Sequence, residues 1–167
     1  MAEGPRYHVP YRRRREGKTD YRKRLALLKS DKTRAVVRRS LSGTIVQMVD
    51  YTVEGDKVLV QASYKDLKKM GWKNSLKDTS ASYLTGLLAG KKALKSDINE
   101  AVLDIGLLEP VRGSRVFATL KGLLDAGVNI PHGDGMFPPE DRISGSDKKD
   151  NKFTKDFEAI KVKILEM

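Results

Sequence analysis

Read from Arg6 to Arg39, the chain runs RYHVPYRRRREGKTDYRKRLALLKSDKTRAVVRR, and its chemistry is concentrated there. Residues 1–39 hold fourteen Lys or Arg, ten of them Arg, against four acids, a net of +10 in a chain of +11. Residues 40–167 are therefore close to neutral, and the charge is a local device. Each phosphate that Lys or Arg neutralises releases condensed counterions. Arginine suits the task because its planar fork binds phosphate oxygens bidentately and stacks on bases. Tyr7, Tyr11 and Tyr21 are interleaved with the arginines. Rings and guanidinium planes are what unstacked RNA bases lie upon. A merely solvated tail is the weaker reading, since four consecutive arginines repel one another without an anion. A membrane-surface helix is weaker still, because residues 7–16 have no large apolar face.

Other chemistries fit poorly. The chain has no Cys, which excludes disulfides, thiolate metal sites and cysteine nucleophiles. His8 and His132 are too few for a typical zinc site. Gly86, Gly90 and Lys91 are one residue short of a phosphate-binding loop, and no Ser or Thr follows Lys92. Gly133-Asp134-Gly135 lacks the third glycine of a dinucleotide fingerprint. One enzymatic reading remains: Asp50, Asp104 and Asp125 gathered on a mixed sheet to hold two Mg²⁺ ions for RNA cleavage. Asp125, at a helix C-terminus, is badly placed for it. No run reaches membrane-spanning length, and the N-terminus has neither an apolar signal core nor the Ser-rich, acid-poor composition of a transit peptide.

The elements that must position the arginines follow from pattern. Pro5, Pro10 and Gly17 make residues 1–18 an extended arm, expected to order only on RNA. Thr19 or Asp20 caps a helix to about Lys29, with Tyr21, Leu25 and Leu28 as a stripe that can dock. Residues 34–40, 43–51 and 57–64 read as an antiparallel meander with a turn at Glu54-Gly55-Asp56. Residues 64–71 read as a short helix or turn, with Trp72 a core or rim anchor. A helix follows from Asp78, Thr79 or Ser80 to about Lys95, with Leu84, Leu87 and Leu88 buried and Lys91, Lys92 and Lys95 complementing its dipole. Residues 101–106 read as a buried strand, Ser114 caps a helix closed by Gly127, and 128–130 is a short strand. Residues 131–152 read as loop. Phe153, Phe157, Ile160 and Ile164 then mark an amphipathic helix, whose partner the sequence leaves open. A meander followed by alternating helix and strand implies an α/β fold, a mixed sheet layered with helices behind a basic arm. The expected division is 1–18 arm, 19–145 globular domain, and 146–167 polar linker and helix.

Several blocks, in order, resemble a known family. Tyr11-Arg12-Arg13-Arg14-Arg15-Glu16-Gly17-Lys18-Thr19-Asp20-Tyr21 is similar to its start. Gly43-Thr44-Ile45-Val46-Gln47-Met48-Val49-Asp50-Tyr51 stands where the family has hxIxAQVID. Residues 83–94 (YLTGLLAGKKAL), 101–107 (AVLDIGL), 113–122 (GSRVFATLKG) and 130–132 (IPH) match as well. The family is the archaeal and eukaryotic branch of the universal large-subunit ribosomal protein that binds 5S rRNA, eighteenth in bacterial naming and fifth in eukaryotic naming. The resemblance covers roughly residues 5–145, and the length is that of the archaeal form. Ser42-Gly43-Thr44 departs from the Ser-Asn-Lys-His of many relatives, which puts a basic contact at that hairpin in doubt.

The resemblance implies a ribonuclease-H-like motif without nuclease activity. It implies a place in the cytoplasm, in the central protuberance of the large ribosomal subunit. The implied partners are 5S rRNA, 23S rRNA and neighbouring large-subunit proteins. No catalytic residue, cofactor, metal or small-molecule substrate is expected. For RNA contact, Arg12, Arg13, Arg14, Arg15 and Lys18 neutralise phosphates, and Arg6, Arg22 and Lys23 extend the track. Tyr7, Tyr11 and Tyr21 stack or hydrogen-bond. Arg38, Arg39, Ser40 and Thr44 extend the surface at the first hairpin if the arm lies nearby; otherwise they form a charged tip in solvent. Arg115 sits where a helix N-terminus could receive a phosphate, although capping explains Gly113 and Ser114 equally well. The competing class is a generic basic RNA-binding or RNA-chaperone protein.

Overall fold

The structure is a computed structural model that describes residues 4–148 and 151–167. Residues 1–3 of the arm and 149–150 of the linker lie outside the described residues. In chain order the elements are α1 (Arg12–Arg15), α2 (Tyr21–Leu28), β1 (Arg34–Arg39), β2 (Thr44–Thr52), β3 (Gly55–Ser63) and α3 (Tyr64–Lys69). Then come α4 (Thr79–Leu94), β4 (Val102–Asp104), α5 (Arg115–Ala126), α6 (Glu140–Ser144) and α7 (Asn151–Leu165).

The sheet order is β3-β2-β1-β4. The meander pairs antiparallel, and β4 joins β1 in parallel through Arg34–Val102, Ala35–Leu103 and Val36–Asp104. This is the mixed, helix-layered sheet expected. Alternation decides its faces. Ala35, Val37, Val46, Met48, Val60 and Ala62 are buried, and most of them join the core with α4 and α5. Arg34, Val36 and Arg38 project to the opposite face. The strand expected at 128–130 shrinks to one bridge, Glu100 with Asn129. Too few residues separate Gly127, the left-handed C-cap of α5, from Pro131 for a longer ladder.

Helix α4 is not the one-sided helix that Leu84, Leu87 and Leu88 alone suggest. Thirteen of its residues are buried, because it contacts the sheet, α5, α3, α6 and α7 together. Its hydroxyls find partners inside. Thr85 donates to the Ala81 carbonyl at 2.8 Å, and Ser82 exchanges a hydrogen bond with Thr44 at 3.0 Å. Gly86 and Gly90 are packing glycines, since a methyl on either would strike the α5 segment from Thr119 to Ala126. Rejecting them as a phosphate loop is therefore consistent with their place in the fold.

The region read as loop contains the short helix α6, started at Pro139 and closed by Gly145. Pro139 suits such a start, because it needs no N–H donor there. Helix α7 docks on the domain. Phe153, Phe157, Ile160 and Ile164 are all buried in the common core. Phe157 lies 5.8 Å from the Tyr83 ring, and Phe153 meets Trp72 edge-on at 5.4 Å. Trp72 is the expected anchor, its indole N–H donating to the Ser75 carbonyl at 3.1 Å.

Candidate nucleic-acid interface

The arm is not wholly extended. Arg12–Arg15 form one helical turn started by Tyr11, with the N–H groups of Arg14 and Arg15 bonded to the Tyr11 carbonyl. Pro10 ends before this turn and does not block it. The four guanidinium groups therefore fan out, all exposed, rather than following one extended line. Glu16 offsets part of the charge, 3.8 Å from Arg12 and 2.8 Å from Lys18. Such exposed pairs exchange readily for phosphate, being worth at most about 1 kcal/mol. Arg13 Nε donates to the Thr19 hydroxyl at 2.8 Å, which ties the turn to the entry of α2. The Tyr11 and Tyr21 rings meet at 5.5 Å and 53°, a second tie. Tyr7 and Tyr11 keep exposed rings, and Tyr21 is about one-third exposed.

Helix α2 is capped as expected. The Asp20 carboxylate accepts from the N–H groups of Arg22 and Lys23. The Lys23 N–H bond holds this exposed carboxyl below its ordinary value. The stripe expected to dock does not: no α2 residue is buried, and Leu25 is 57% exposed. A charged clamp holds the helix instead. Arg24 grips Asp56 with two hydrogen bonds, Nη1–Oδ2 at 2.9 Å and Nη2–Oδ1 at 2.6 Å. Arg22 and Lys23 remain exposed beside the arm.

Behind this clamp lies a charge chain that sequence reasoning missed. Arg34 is 2% exposed. Its Nη1 donates to Asp104 Oδ2 at 3.0 Å, and its Nη2 lies 2.9 Å from Asp56 Oδ1. The Asp56 contact is an ion pair by distance without hydrogen-bond alignment, and Nε has no partner. Arg38 approaches Asp104 from outside at 3.9 Å, and the Gly106 N–H donates to Asp104 at 2.8 Å. Arg24 first, then Arg34, hold the Asp56 carboxyl below its ordinary value. An arginine opening an apolar strand and an acid inside another were the available signals. Asp104→Asn should cost about 3 kcal/mol, because it leaves half of a buried ion pair. A urea midpoint shift worth under about 1 kcal/mol would count against that role.

The same chain disposes of the nuclease arrangement. Asp104 is held by Arg34, Asp50 accepts from the Thr33 hydroxyl at 2.6 Å, and Asp125 accepts from the Tyr83 hydroxyl at 2.9 Å. Burial, then Asp125, push the Tyr83 phenol well above its ordinary value, so it stays a donor. Each carboxylate is committed to the fold rather than to a shared metal. Among the described residues no three metal-binding side chains gather.

At the first hairpin Arg38 and Arg39 are exposed, but two expected contacts are corrected. Thr44 is 1% exposed, its hydroxyl bonded to Ser82, so it faces α4 and not solvent. The Ser40 hydroxyl is spent on the hairpin, accepting from the N–H groups of Ser42 and Gly43 and donating to the Gly43 carbonyl at 2.9 Å. Arg115 donates to the Lys77 carbonyl at 2.7 Å. Burial, then the charge of Arg39, push its guanidinium below its ordinary value. It is a partly buried strut on a separate basic patch with Lys77, Arg142 and Lys148.

Arg13, Lys18, Lys23, Arg24 and Arg38 thus line one cleft between the α1–α2 segment and β4. Arg6, Tyr7, Arg12, Arg14 and Arg15 lie outside it on the arm. The result is a continuous cationic, tyrosine-bearing surface on the side of the sheet away from α4.

Comparison with known proteins bears on this surface. Residues 5–99 and 95–133 match the family described as ribosomal large subunit proteins 60S L5 and 50S L18. The chain is 54% identical over 145 residues to large ribosomal subunit protein uL18 of Methanothermobacter thermautotrophicus, covering 87% of this chain and 76% of that one. It is 52% identical over 149 residues to the uL18 of Methanococcus maripaludis, covering 89% and 77%.

Proposed function

We propose, from the premise that this chain belongs to the family of ribosomal large subunit proteins 60S L5 and 50S L18, that it binds 5S rRNA and joins it to 23S rRNA in the central protuberance. Membership makes it a structural, non-enzymatic constituent of the large ribosomal subunit in the cytoplasm. The observation that carries the finer reading is the arm. A turn of four exposed arginines and the basic helix α2 form one surface, outside the packed core. Arm cations and exposed tyrosines take phosphates and unstacked bases, while the rigid sheet fixes where they sit. Arg6, Arg12, Arg13, Arg14, Arg15, Lys18, Arg22 and Lys23 are the phosphate track in this reading, with Arg38 and Arg39 at its far end. Residues 1–18 act as the arm and 19–145 as the domain that selects RNA shape.

The test is a competition titration at fixed magnesium and near-physiological salt. Labelled 5S rRNA is challenged with unlabelled 5S rRNA and with a structured RNA of equal length. Salt is fixed because the electrostatic contribution moves affinity by orders of magnitude. The expected result is that only 5S rRNA competes well. Equal competition would establish a generic basic RNA binder instead.

A further inference from the structure

We propose that the cleft between α2 and the loop after β4 receives one unpaired nucleotide of the bound RNA. Its base lies on the apolar wall and its phosphates lie on the basic rim. The inference rests on the RNA-binding reading and adds a subsite to it.

The cleft measures about 840 Å³, within the range of small-molecule sites. It exists because α2 is clamped rather than packed. The Arg24–Asp56 pair fixes the helix at one point, and no residue of α2 is buried. Leu27 on the helix faces Leu103, Ile105 and Leu107 across the gap, and Leu107 is 52% exposed. Apolar walls left open in this way suit a flat, weakly hydrated ring.

The rim supplies the opposite chemistry. Arg13, Lys18 and Lys23 stand on the arm side and Arg38 on the sheet side. The three carboxylates that line the cleft are all engaged. Asp20 caps α2, Asp56 pairs with Arg24 and Arg34, and Asp104 pairs with Arg34. An anion therefore meets cations whose nearby acids are already neutralised. A double helix would reach only the rim. A nucleotide turned out of a loop or bulge presents both an aromatic face and phosphate, and such bases are the usual targets of RNA-binding proteins.

The experiment uses the full chain with methyl-labelled Leu and Ile. AMP, GMP, CMP and UMP are titrated separately, with ribose 5-phosphate as the control lacking a base. At least one mononucleotide should shift the methyl signals of Leu27, Leu103, Ile105 and Leu107 saturably, and ribose 5-phosphate should not. Ala26→Trp fills the cleft from the helix side, and Leu107→Glu places an anion on the opposite wall. Each should abolish those shifts and weaken 5S rRNA binding at least fivefold. Ala26→Trp should leave the salt slope unchanged, since no cation is removed. The proposal is overturned if no mononucleotide shifts these methyls, if ribose 5-phosphate shifts them equally, or if a correctly folded variant binds 5S rRNA as tightly as before. Protection of these methyls by 5S rRNA alone, without a mononucleotide effect, would mean that α2 closes onto the sheet, and overturns it too. The mononucleotide titration contains no 5S rRNA, so its outcome is separate from failure of the ribosomal-RNA reading.

Discussion

Replacing Arg12, Arg13, Arg14 and Arg15 together by glutamine should weaken 5S rRNA binding by about a hundredfold near physiological salt. The slope of log affinity against log salt should flatten by about three, since each lost phosphate contact removes roughly 0.7–0.9. The fold should not notice. All four side chains are exposed, and the turn is built from backbone bonds to the Tyr11 and Arg12 carbonyls. Glutamine has nearly the helix propensity of arginine. The one ion pair lost, Arg12–Glu16, is a surface pair at 3.8 Å. The loss should therefore lie in the complex and not in the free protein. Far-UV circular dichroism checks the fold, and titration at several salt concentrations checks the slope. If affinity falls while the slope stays, the arginines act through shape and not through phosphate. If neither changes, the arm is not the main determinant.

Gly122→Ala should lower stability by about 3 kcal/mol or more, which for a chain of this size is a fall in melting temperature of roughly 6–12 °C. Helix propensity alone points the other way, since alanine gains about 1 kcal/mol over glycine inside a helix. Sterics win because α5 touches α4 backbone to backbone. A methyl on Gly122 would sit 2.2 Å from the Tyr83 carbonyl oxygen and 2.7 Å from the Leu87 nitrogen. On the facing helix, a methyl on Gly86 would sit 2.1 Å from the Thr119 carbonyl oxygen. No rotamer change relieves a clash with helical backbone. The helices must part, and a close-packed core loses contacts along the whole seam. Gly133→Ala is the control, because nothing lies within 4 Å of its added methyl. A melting temperature within about 2 °C of the parent for Gly122→Ala would mean that the seam is looser than these distances.

Together these variants separate two demands on the chain. The glycine seam makes α4 and α5 a rigid block against which the sheet packs. The arginine turn contributes nothing to that block and owes its position to short ties, Arg13 to Thr19 and Tyr11 to Tyr21. The Arg24–Asp56 clamp joins the two parts.

Local information in the chain was enough for much of this. The excess of charge in residues 1–39 marks an RNA-facing arm, because like charges crowd together only where an anion is expected. Two-residue alternation specifies the meander, and the caps Asp20, Asp78 and Ser114 start their helices at the expected places. Phe153, Phe157, Ile160 and Ile164 mark α7 by spacing alone. Each of these signals is read within one turn or one strand.

What depended on distant partners was decided only by the tertiary structure. Arg34 and Asp104 are 70 residues apart, and their pairing waits on β4 lying parallel beside β1. The Tyr21, Leu25 and Leu28 stripe has the period of a docked helix, yet a charge clamp and not burial holds α2, so the stripe stays open. Thr44 looks like a surface hydroxyl until α4 covers it. Gly86 and Gly90 look like a broken nucleotide motif until α5 is laid against them. Periodicity reports which face of an element is apolar. It says nothing of which element arrives to cover that face, or how closely, because that depends on the whole chain packing at once.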